Sequence, residues 1–125
     1  GTAVSMRFVP DLTLVKRLFG KVRWTNRVEL PSETLMDLAA AAIGELGHTV
    51  KEMQSLKLTA KSNVSLFSWG EALTVELVPL TETTTMVTIE SSPAAPFQVI
   101  DWGKSVRNVR AILEKMASLA ERKAQ

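Results

Sequence analysis

His48 is the one side chain whose ordinary titration lies near neutrality, and it is the single imidazole among 125 residues. It follows Gly47, where a helical pattern passes into a strand-like one. A Ser–His–Asp arrangement needs a nucleophile held on a strained elbow, and no Gly-x-Ser-x-Gly occurs in the chain. The expectation for His48 is a structural role. Glu52, Glu71, Glu76 and Glu90 are the carboxylates that folding could bring together as an acid and base pair. Each is read at an outward strand position, where a solvated face explains it without chemistry.

Other chemistries are excluded by stoichiometry. The absence of Cys removes disulfides, thiolate metal sites and thiol nucleophiles, and a lone His leaves almost no imidazole metal site. The three Asp, at 11, 37 and 101, cannot form a dense calcium loop. The glycines at 1, 20, 44, 47, 70 and 103 are too scattered to cradle a phosphate. No metal and no cofactor is expected, and nothing marks an enzyme.

Binding candidates remain. Trp69-Gly70 and Trp102-Gly103 sit beside the starts of predicted elements, where a Gly lets the backbone approach closely and an indole lie across a neighbour. They either seal the core ends, the favoured reading, or wall a small aromatic pocket. Lys104, Arg107 and Arg110, with Lys115 and Arg122, form a stripe that could meet phosphates of nucleic acid or lipid headgroups. Glu114 and Glu121 interrupt it, as on an ordinary solvated helix.

The composition is that of one domain over 1–125, with 1–22 as an N-terminal arm and 23–122 as core; 46% apolar content argues against disorder. No apolar run reaches the roughly 18–20 residues a membrane-spanning helix needs. Net charge is only +2, yet residues 1–30 hold six Lys/Arg against two acids, 31–100 three against eight, and 101–125 six against three. Such a balance is too mild to name nucleic acid as the partner. Because Gly1 is an unusual first residue, a segment removed upstream is allowed for; a cytoplasmic setting is the leaning expectation.

The elements that must position these groups are read from periodicity. Val4, Met6 and Phe8 alternate as an edge strand over Ala3–Val9 ended by Pro10, and Asp11 to Gly20 reads as a short helix. If Lys16 and Arg17 met a membrane surface, that helix would lie in its interface, though packing onto the domain is preferred. Val22, Trp24, Val28 and Leu30 make a strand closed by Pro31. Ser32 is the expected cap of a helix over 32–46, with Gly47 as the residue just past its end.

Strands are expected at 49–54, 56–61, 72–78, where Pro79 stops the pattern, and 86–92, reached through a Thr-rich loop at 81–85. From Trp102 to Ala120 the apolar residues keep helical spacing, with Asp101 as cap. The fold class is α+β: a two-layer sandwich of an antiparallel sheet of four to six strands, with helices 32–46 and 103–122 on one face.

The stretch from Thr88 to Met116 resembles the end of small uncharacterised bacterial α+β domains, in which a strand with Ser leads through Asp-x-Gly-x into an Asn-containing helix. Ser91, Asp101, Gly103 and Asn108 carry the resemblance, which implies a two-layer α+β domain and no activity. The functional expectation is a non-catalytic binding or assembly module, with a protein partner or self-association at a sheet edge. The alternatives are a carrier of an apolar ligand or lipid between sheet and helices, as in lipid-binding helix-grip folds, and an anionic-surface binder acting through the C-terminal helix. Trp69, Trp102, Asp101, Lys104, Arg107, Asn108, Arg110 and His48 are the ligand or partner candidates.

Overall fold

The computed structural model describes residues 8–62, 70–94 and 102–123, apart from the Trp102 side chain. The expected strand over Ala3–Val9 falls mostly outside them. The elements run β1 (Lys16–Leu18), β2 (Lys21–Val28), α1 (Ser32–Glu45), β3 (Thr49–Met53), β4 (Lys57–Lys61), β5 (Glu71–Thr81), β6 (Thr84–Pro93) and α2 (Trp102–Lys123). The six strands form one antiparallel sheet in the order β1-β2-β6-β5-β4-β3. This is the α+β sandwich read from the sequence.

Alternation decides which face is buried. Val22 and Trp24 of β2, Leu58 and Ala60 of β4, Leu73, Val75 and Leu77 of β5, and Val87 and Ile89 of β6 all point to one side. Both helices cover that side. α1 lies over β3, β4 and β5 through Leu35, Leu38, Ala39, Ala42 and Ile43. α2 lies over β2 and β6 and against α1 through Val109, Ile112, Leu113, Met116 and Ala120. The small alanines let α1 sit close to the sheet.

Caps and clamps fix the connections. The start of α1 is tied to β6 by Ser32 Oγ, 2.9 Å from Thr85 Oγ1, while Thr85 donates to the Leu30 carbonyl at 2.9 Å. At its end Gly47 takes φ +82, and the His48 N–H reaches back to the Ile43 carbonyl at 3.1 Å. Gly47 thus stops the helix as expected. Ser32, however, is the first helical residue, the cap position falls on Pro31, and the Ser32 hydroxyl is engaged with Thr85.

Three expectations are corrected. The Asp11–Gly20 segment is not a helix: Leu12–Leu14 form a single 3-10 turn capped by Asp11, and β1 then pairs with β2. Leu12, Val15 and Leu18 suit helical spacing, but pairing with Lys21, Val22 and Arg23 outweighs so short a helix. Pro79 does not end its strand, for β5 continues to Thr81. Its pairing with β4 ends at Glu76, so beyond Leu77 only β6 flanks it and a missing N–H is tolerated. Thr84 and Thr85 belong to β6, which shortens the expected 81–85 loop.

Candidate functional site

The inward face of the sheet is layered. One row across it is Leu58, Val75, Ile89 and Trp24; the next is Ala60, Leu73, Ser91 and Val22. One step further the row becomes polar, with Ser62, just past the end of β4, beside Glu71 at the start of β5. The two are locked together by the Ser62 N–H donating to the Glu71 carbonyl at 2.9 Å and the Glu71 N–H donating to Ser62 Oγ at 2.7 Å. Glu71 is completely buried, as is Ser91.

Glu71 and Ser91 are diagonal neighbours on this face, about 7 Å apart at the backbone. On α2, which packs on β2 and β6, Ser105 is buried in the first turn and Asn108 is half-buried in the next. Ser91 Oγ and Asn108 Nδ2 are buried and have no hydrogen-bond partner among the described residues. Buried polar groups are nearly always satisfied, so these positions differ in kind from the apolar middle of the interlayer.

The outward position expected for Glu71 is therefore wrong. β5 starts at Glu71 itself, and stepping back by two from Leu73 keeps the residue on the inner face. The signal was present in the alternation of Leu73, Val75 and Leu77. Ser62 and Ser105 were likewise missed, because Ser carries too little hydropathy to declare a face. Glu76 and Glu90 do face outward, paired with Lys57 at 3.7 Å and with Arg23.

The other candidates disperse. His48 lies between α1 and β3, its Nδ1 buried with no hydrogen-bond partner among the described residues, and its pKa is held below the ordinary 6.5 by burial and then by the Lys104 charge. The basic stripe on α2 divides: Lys115 and Arg122 reach Glu45 of α1 at 3.9 and 3.7 Å, while Arg107 and Arg110 project outward in no ion pair among the described residues. Lys104 is half-buried. Trp69 and Asp101 lie outside the described residues; Trp102 begins α2.

Two shallow grooves open on the described surface. One of about 260 Å³ is lined by Phe8, Trp24, Asn26 and Val28, and one of about 250 Å³ by Leu14, Lys16, Leu18, Arg23 and Thr25. Neither has a wall from α1 or α2. Among the described residues no group of three or more His, Asp and Glu could hold a metal ion, and no helix is long and apolar enough to cross a membrane.

No family model matches the chain, and no curated protein matches it. Solved structures do. A Mesorhizobium loti protein is similar at 16% identity and TM-score 0.60, covering 82% of this chain and 97% of that one. A START superfamily protein from Mycobacterium smegmatis is similar at 10% identity and TM-score 0.58, with 82% and 97% covered. A second M. smegmatis protein gives 6% identity and TM-score 0.56, with 89% and 93% covered. At these identities the likeness is one of fold: a helix-grip arrangement of curved antiparallel sheet and long C-terminal helix.

Proposed function

We propose that this domain is a non-catalytic binder of a small, largely apolar molecule bearing a hydroxyl-like head, seated between α2 and the sheet with its head toward Ser91. The observation that carries the reading is the change along the inner face, from the apolar row of Leu58, Val75, Ile89 and Trp24 to the buried polar groups of Ser62, Glu71 and Ser91. An apolar body suits the first and a polar head the second.

Hydrogen-bond chemistry narrows the head. Asn108 Nδ2 can only donate, while Ser91 Oγ can donate or accept. A hydroxyl meets both demands, accepting from Asn108 and exchanging a hydrogen bond with Ser91. A purely hydrocarbon ligand would leave Ser91 and Asn108 as they are. The likeness to the START superfamily protein is one of fold, and supports the reading to that extent only.

The test uses N-phenyl-1-naphthylamine, an apolar fluorophore with one N–H donor. It should brighten on saturable binding, one probe per chain, and be displaced by hydroxylated apolar compounds in preference to their deoxy analogues. Ser91→Val, which keeps the strand, should lessen that preference. Absence of saturable binding, or displacement blind to the hydroxyl, would refute the reading.

A further inference from the structure

The turn between β1 and β2 places an apolar ring where nothing in the described chain covers it. Leu18 pairs with Lys21, leaving Phe19 and Gly20 as a two-residue loop, and Gly20 takes φ +77. That left-handed residue is what lets the loop close so tightly. Phe19 stands at the apex with 102% of its reference surface exposed.

A lone exposed apolar side chain is ordinary on a protein surface. Here, however, Lys16, Arg17 and Lys21 lie within three positions of the ring in sequence, and none forms an ion pair among the described residues. The groove of about 250 Å³ lined by Leu14, Lys16, Leu18, Arg23 and Thr25 carries the same mixture of leucine and cation along the outer face of the hairpin. Lysines on an edge strand can serve only to discourage strand pairing, but that role has no use for an exposed phenyl ring.

We propose that the β1–β2 hairpin docks this domain onto an anionic lipid surface, with Phe19 entering the headgroup layer and Lys16, Arg17 and Lys21 meeting lipid phosphates and carboxylates. The charge is complementary, and a single ring on a convex tip is shaped to enter a lipid interface. Single-stranded nucleic acid would call for a groove with successive stacking rings, whereas this hairpin offers one. The inference stands apart from the ligand reading, because the hairpin tip lies outside the interlayer space.

The experiment is co-sedimentation of the whole chain with phosphatidylcholine vesicles, with and without about one third phosphatidylserine. Binding is expected only with phosphatidylserine and should fall as salt is raised. Phe19→Ser should weaken it by about tenfold or more, from the lost burial of the ring. Lys16→Gln, Arg17→Gln and Lys21→Gln should each weaken it by about fivefold. All four positions are peripheral, and circular dichroism and an unchanged urea midpoint verify that each variant is folded.

Equal binding to both vesicle types would overturn the proposal. So would binding that survives Phe19→Ser but is lost when Lys104, Arg107 and Arg110 are all replaced by Ala, which would move the contact to α2. Single-stranded RNA that binds better than the vesicles and is lost with the same hairpin variants would assign the site to nucleic acid instead.

Discussion

Gly70 is packed so closely against Ser62 that a Cβ added to it would stand 2.6 Å from the Ser62 carbonyl oxygen, and its φ of +87 lies where L side chains are strained. The obstructing atom belongs to the backbone that holds Ser62 beside Glu71, so it cannot swing aside. Gly70→Ala should therefore destabilise the fold by about 2 kcal/mol or more. Gly44, in α1, is the matched control: nothing lies within 4 Å of its added Cβ. Gly44→Ala should stabilise by about 0.5–1 kcal/mol, since Ala is the better helix former. Urea midpoints moving in the same direction for the two variants would contradict this account.

Trp24 joins the 3-10 turn to the sheet. Its indole N–H donates to the Asp11 carbonyl at 2.9 Å, and its ring meets Phe8 edge-on with centroids 6.5 Å apart. Trp24→Phe keeps much of the apolar burial but removes the donor and part of the ring. A loss of about 1–3 kcal/mol is expected in urea denaturation, mostly from the unpaired carbonyl and the space left behind. Trp24→Ala, which also abandons the ring contact, should cost about 3–5 kcal/mol. Equal losses for the two would mean that the ring contributes nothing.

Most of the architecture was legible because burial writes itself into period. Leu35, Leu38, Ala42 and Ile43 announce α1, and Leu73, Val75 and Leu77 announce β5. What escaped did so for physical reasons. The Asp11–Gly20 segment carries apolar residues at helical spacing, but a ladder to β2 is a long-range contact that no local pattern reveals. Glu71 sits on the inner face in defiance of its hydropathy, and small Ser side chains at 62, 91 and 105 carry no periodic signal. The polar end of the interlayer was therefore the least readable part. His48 and the α2 cations were visible at once by type, yet they do not converge on it.

Ser91 should show opposed effects on stability and binding. Its hydroxyl is fully buried, and no described residue compensates its desolvation with a hydrogen bond. Ser91→Ala removes that cost while barely changing volume, and the free protein should gain up to about 1 kcal/mol. On the proposed function the same change should weaken binding of a hydroxylated ligand by a few-fold to tenfold, one neutral hydrogen bond being worth about 0.5–1.5 kcal/mol. Thermal denaturation with and without ligand reads both terms. A variant that is less stable when free would show that Ser91 supports the fold rather than a guest.

His48 should make stability depend on pH in a definite direction. Its pKa is held below 6.5 first by burial and then by the charge of Lys104, so folding favours the neutral ring. Well above 6.5 both folded and unfolded chains carry that neutral ring, and its contribution is fully present. As the pH falls through 6.5 the unfolded chain takes up a proton that the folded chain refuses. Stability then declines until the lower folded-state value is passed. The urea midpoint should drop more steeply between about pH 7 and pH 5 in the wild type than in His48→Gln, where carboxylates alone respond. Because His48 is the only imidazole, its ring proton resonance can be followed directly by NMR, and Lys104→Gln should move its titration upward. A resonance titrating at or above 6.5 in the wild type would sink the prediction.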